Sequence, residues 1–134
     1  MTVPSPVAKL ARSTFTHVGF AALAMGGWAA FANQAHGPVR ALIAGGVQGL
    51  LSGAITFFLK RSLEAMAARL PLGLAWLVPP LVTCAVVLAV LVTAHTLAHT
   101  PEVWRTIAVP YAVSSAYAWI YAASLVAGRR RSVA

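Results

Sequence analysis

The chain has 134 residues, of which 60% are hydrophobic and 9% charged, against about 25% charged in an ordinary soluble domain. That length suits one domain, and a composition this apolar excludes a soluble fold, because too few polar residues remain to cover a surface in water. Ten Lys/Arg against two acidic residues give a net charge of +8. They sit in short clusters between apolar runs, which fits membrane anchoring and orientation and argues against nucleic acid as a partner.

In chain order, the first twelve residues, with Pro4, Pro6, Lys9 and Arg12, read as a short mobile or interfacial N-terminus. The run that follows, ending near Ala30-Phe31-Ala32, has the outline of a signal peptide but is longer than a typical signal core, so it reads as a first span. A helix needs about 20 apolar residues to cross the hydrocarbon core. Four runs meet that need, at about Ser13 to Asn33, Val39 to Leu59, Leu72 to Ala94 and Val103 to Ala127. None carries a charge in its centre. Backbone groups in lipid must be satisfied within the segment, so helices are expected, and the alternation of a β-barrel strand is absent.

Lys9 and Arg12, then Lys60, Arg61 and Arg69, then Arg129, Arg130 and Arg131 mark three segments on one side. The two remaining loops carry only Arg40 and Arg105. The positive-inside rule then places both termini and the middle loop in the cytoplasm, in the style of a bacterial inner membrane protein. Leu63, Met66 and Leu70 recur at helical spacing, so the middle loop from Lys60 to Leu70 is expected to continue helically along the interface. Pro79 and Pro80 predict a kink a third of the way into the third span, and Pro110 predicts another in the fourth.

The two other loops share a pattern. One reads His36-Gly37-Pro38-Val39-Arg40 and the other His99-Thr100-Pro101-Glu102-Val103-Trp104-Arg105. The fold class expected is therefore all-α, an integral membrane four-helix bundle, built either as two tandem two-helix hairpins or as four spans that share loop chemistry. Trp104 belongs at a membrane edge, whereas Trp28 and Trp119 lie deeper than an aromatic belt.

The second span carries the clearest pattern. Gly45, Gly49 and Gly53 line one face and admit a close helix, either inside the monomer or from a homodimer partner or another membrane subunit. Beside them run Gln48, Ser52 and Thr56, at steps of four. A buried glutamine in lipid needs a partner, expected among Tyr111, Ser114, Tyr117, Tyr121 and Ser124 of the fourth span. That pairing is either interhelical glue or the lining of a substrate path.

Three histidines fall on one side, His36, His95 and His99, and form a candidate metal or haem site at the wet edge; no other feature implies a cofactor. The single cysteine, Cys84, lies in an apolar run, which excludes an internal disulfide framework. The two acidic residues, Glu64 and Glu102, fall in loops on opposite sides, and no span holds a carboxylate for a proton relay. With no nucleophile constellation and no phosphate loop, the chain is not expected to be an enzyme.

The exit of the second span, Thr56-Phe57-Phe58-Leu59-Lys60-Arg61, with Trp119-Ile120-Tyr121 and Arg129 to Arg131 near the C-terminus, resembles the small four-helix proteins of the GtrA-like family. The asparagine that often precedes phenylalanine in that motif is Thr56 here. The resemblance implies two hairpins that translocate or bind a polyprenyl-phosphate-linked sugar among membrane lipids. It also implies that Lys60, Arg61, Arg129, Arg130 and Arg131 meet lipid phosphates. The competing expectation is a structural or assembly subunit of a larger membrane complex.

Overall fold

The computed structural model describes residues 5–134, and every regular element among them is helical. The elements are α1 (Pro6–Ala32), a single 3-10 turn (Gln34–His36), α2 (Pro38–Arg69), α3 (Leu72–Ala75), α4 (Val78–Leu97) and α5 (Val103–Val133). Three stretches, Ser13–Ala32, Pro38–Arg69 and Leu72–Leu97, are long and apolar enough to cross a membrane. α5 has the length, but Tyr111, Ser114, Ser115, Tyr117, Tyr121 and Ser124 dilute its apolar character.

The expected N-terminal tail falls partly on residues 1–4 and on the side chain of Arg12, which lie outside the described residues. From Pro6 onward the chain is already helical, with proline in the first turn, where its missing N–H costs nothing.

The middle segment continues helically from the second span. α2 runs unbroken through Lys60 to Arg69. Leu63, Glu64, Ala65, Met66, Ala67 and Ala68 are all strong helix formers, and neither glycine nor proline interrupts them. Pro71 ends the helix by forcing Leu70 out of the helical region, to φ −109° and ψ 147°.

The expected kink in the third span is a break. The chain makes one turn as α3, passes Trp76 and Leu77, and starts again at Val78 with Pro79 and Pro80 in the first turn of α4. There the two prolines lack only donors that no carbonyl would have accepted. Pro110, by contrast, sits inside α5, buried, and the helix continues past it.

The two His-x-Pro loops differ in detail. Pro38 opens α2 directly after Gly37, whose φ of 92° needs glycine. Pro101 lies one residue before the N-cap of α5, Glu102. Between them α4 closes with His99 in the left-handed region at φ 52°. The Thr100 amide donates to the His95 carbonyl at 3.0 Å and the His99 amide to Thr96 at 3.1 Å, the paired bonds of a Schellman motif with histidine where glycine is usual.

α2 and α5 each touch every other long helix, whereas α1 and α4 do not meet among the described residues. The central cluster joins Leu59 and Leu63 of α2, Val87 and Leu91 of α4, and Ile107 and Ala118 of α5. α1 lies against α2 through small residues. A Cβ on Gly26 would stand 2.8 Å from the Gly45 carbonyl oxygen; one on Gly45, 3.0 Å from that of Gly26; one on Gly49, 3.1 Å from that of Ala22. The glycine face of α2 is therefore filled by α1 of the same chain, which closes it to a second copy. Gly53 meets Val18 more loosely.

Candidate functional site

Because α2 is one helix, its steps of four continue past Thr56. Gln48, Ser52, Thr56, Lys60 and Glu64 form a stripe at steps of four that winds by about 40° per step around it. This stripe organises most of the buried polar chemistry of the bundle.

At the end where the α1–α2 and α4–α5 loops meet, the stripe begins with Gln48, fully buried. Its partner is not on α5, as expected from the tyrosines there, but on α4. His95, also fully buried, donates from Nε2 to Gln48 Oε1 at 2.8 Å, and Gln48 Nε2 donates to Ser52 Oγ at 2.8 Å. The Thr100 hydroxyl completes the chain at His95 Nδ1, 2.9 Å away. With the glutamine in this orientation Nε2 carries a proton, and both ring nitrogens are engaged. All four buried side chains are thus satisfied, which a low-dielectric interior demands.

Ser52 also opens onto a cavity of about 150 Å³. Thr56 and Ser114 of α5 bring two further hydroxyls to its wall, and Phe20 and Met25 of α1 supply apolar surface.

Toward the opposite end lie the charges. Lys60 Nζ is 3.8 Å from Glu64 Oε1, and the Tyr121 hydroxyl donates to the same oxygen at 2.5 Å. Tyr117 stacks on Tyr121 with ring centres 5.4 Å apart. Tyr121, with Tyr117 stacked on it, therefore answers to Glu64 rather than to Gln48. Tyr111 packs on the central apolar cluster, and Ser124 turns back to its own helix, donating to the Tyr121 carbonyl.

The basic residues divide by role. Arg129 reaches across to α2. Its Nη1 donates to the carbonyls of Ala67 at 2.7 Å and Leu70 at 3.0 Å, capping the C-terminus of α2. Arg61 lies over the Phe57 ring at 4.4 Å, and Arg130 and Arg131 are exposed on the last turns of α5.

The three histidines do not converge. His95 is engaged within the bundle, His36 pairs with Glu102 at 3.0 Å, and His99 serves through its backbone, with its carbonyl accepting from Arg40 at 3.3 Å. Among the described residues no group of three potential ligands gathers. The three histidines therefore do not form one shared metal site.

Sequence reasoning passed over Asn33, which it took only as the end of a span. Asn33 is fully buried. Its Nδ2 donates to Thr106 Oγ1 at 2.7 Å, and its Oδ1 accepts from the Glu102 amide at 3.0 Å. A side chain one residue past α1 thereby caps the start of α5, which has no side-chain cap of its own. Thr106 passes the bond on to the Glu102 carbonyl at 2.6 Å. Nearby, Trp28 donates from Nε1 to the Arg105 carbonyl at 3.1 Å. Asn33→Leu is expected to destabilise the fold by about 1–3 kcal/mol by orphaning these groups. Amide exchange should speed up at Glu102 to Thr106 first, and unchanged protection there would contradict the capping role.

No protein-family model matches the chain, and no curated protein or solved structure is similar to it, so its site is read from its own geometry.

Proposed function

We propose that this protein crosses a bacterial inner membrane four times, with both termini in the cytoplasm, and binds or translocates a polyprenyl-phosphate-linked sugar. The observation that carries the reading is the stripe on α2. Gln48, Ser52, Thr56, Lys60 and Glu64 lead from a buried amide, past a hydroxyl-lined cavity, to a charged end. A purely structural bundle has little need of three polar residues, Gln48, Ser52 and Thr56, at successive steps of four within one span, because burying a polar group in hydrocarbon costs free energy. Hydroxyls, an amide and stacked tyrosines are the groups that bind sugar hydroxyls, and Lys60 at the end of the line suits a phosphate.

Four crossings follow from length and charge. α5 has 31 residues, or about 46 Å at 1.5 Å per residue, enough for a hydrocarbon core of about 30 Å. The end that carries Lys60, Arg61, Arg69 and Arg129 to Arg131 is the cytoplasmic one by the positive-inside rule; the loop end offers Arg40 and Arg105. The substrate class is the one implied by the resemblance of the Thr56 to Arg61 exit to GtrA-like proteins.

Native mass spectrometry of the protein released gently from its own membrane tests the binding. A retained polyprenyl phosphate or glycolipid supports the reading. Retained protein chains with no such lipid would make the molecule a subunit of a larger complex instead.

A further inference from the structure

A second feature lies outside the stripe. Between α2 and α4 runs an open groove of about 600 Å³, apolar on both walls. Ile55, Phe58 and Met66 form one wall, and Val82, Val86 and Val90 the other. Its only deep polar group is Thr83 of α4, which is 7% exposed and whose Oγ1 is buried without a hydrogen-bond partner. A helical threonine usually bonds back to the carbonyl four residues earlier, here Pro79, and this one does not. Rotation about χ1 exchanges Oγ1 with the methyl group, so the hydroxyl can be turned to the groove by a single rotamer change.

The groove also has a charged end. Arg69 follows Ala65 and Met66 at four and three residues, hence on the same face of α2 one turn further on. It is exposed and makes no hydrogen bond or ion pair among the described residues. Seven residues separate it from Ser62 on the groove wall, about 10 Å along the helix.

We propose that this groove seats one acyl chain of an anionic glycerophospholipid, with its ester carbonyl accepting from Thr83 and its phosphate at Arg69. The proposal rests on the membrane reading above but not on the sugar-lipid assignment. The unpartnered donor selects the lipid class: an ester carbonyl is the acceptor Thr83 lacks, and a polyprenyl phosphate has no carbonyl group. The exposed arginine selects the headgroup charge.

The test uses the full chain, delipidated in detergent, and native mass spectrometry with added phosphatidylglycerol in ester-linked or ether-linked form, or with phosphatidylcholine. The wild type is expected to retain one ester-linked phosphatidylglycerol per chain and several-fold less of the ether analogue. Thr83→Val should erase the preference for ester over ether. Arg69→Gln should erase the preference over phosphatidylcholine. Val86→Trp, at a position 55% exposed and so tolerant of bulk, should lower occupancy at least tenfold by filling the groove. Unchanged occupancy in Val86→Trp, or an ester preference that survives Thr83→Val, overturns the proposal. Polyprenyl phosphate added to the same variants reports on the stripe separately.

Discussion

Gly26→Ala should destabilise the protein by about 1–3 kcal/mol, the usual cost of forcing extra volume into a packed interior. Gly27→Ala, one residue away, should leave stability unchanged or raise it by about 0.5–1 kcal/mol, the gain expected when a helical glycine becomes alanine. The contrast follows from what each new Cβ would meet. At Gly26 it stands 2.8 Å from the Gly45 carbonyl oxygen and 3.4 Å from the Gly49 Cα, both backbone atoms that cannot swing aside. At Gly27 nothing lies within 4 Å. Gly49→Leu should act like Gly26→Ala and more strongly, since its Cβ would stand 3.1 Å from the Ala22 carbonyl with a larger side chain beyond. Unfolding in mixed detergent micelles, followed by helicity, measures all three. Equal stabilities for Gly26→Ala and Gly27→Ala would sink the close packing of α1 on α2.

The second large effect belongs to the Gln48 and His95 pair. Gln48→Leu leaves the His95 Nε2–H without its acceptor and Ser52 without its donor, deep in an apolar bundle. An orphaned buried group costs about 1–3 kcal/mol. His95→Leu orphans Gln48 and Thr100 in the same way. In the double variant Gln48→Leu/His95→Leu the penalties within the pair vanish together, because an apolar pair asks for no partner, while those at Ser52 and Thr100 remain. The sum of the single losses should therefore exceed the double loss. Interhelical hydrogen bonds in membranes couple by about 0.6 kcal/mol on average and about 1.7 at most. Two fully buried partners at 2.8 Å belong near the upper figure. Losses that add within about 0.5 kcal/mol would show two independent sites.

These residues show where sequence reasoning reaches and where it stops. The glycines of α2 were legible as a packing face because a small residue every fourth position is a local pattern. Their partners carry the same pattern, Ala22, Gly26 and Ala30, and reading α1 with the same template would have found them. The helix boundaries near Pro38 and Pro71 were legible for a similar reason, since proline acts on its immediate neighbours. The helical course of Lys60 to Arg69 was legible because every residue between Leu63 and Arg69 favours a helix, so the charges there mark the end of the apolar span and not the end of the helix. Pro79 and Pro80 were read as a kink when two prolines in the first turn start a helix just as well.

The Gln48 to His95 bond was not legible by counting depth. Gln48 lies ten residues into α2, about 15 Å from its start, whereas His95 is two residues from the end of α4. Matching them requires knowing how far α4 is displaced along α2, and the break at Trp76 and Leu77 that sets this displacement is a tertiary feature. Arg129 illustrates the same limit: a terminal basic cluster reads as one charge patch, yet one of its three members caps a helix 59 residues earlier in sequence.

The central claim is that α5 crosses the membrane and returns the chain to the cytoplasm. A reporter fused after Ala134 tests it directly, using a phosphatase active only outside the cytoplasm and a fluorescent protein that folds only inside. The account predicts fluorescence without phosphatase activity at Ala134, and the reverse for a fusion ending at Thr100. Phosphatase activity at Ala134 would mean three crossings, with α5 lying on the surface, and would contradict the account.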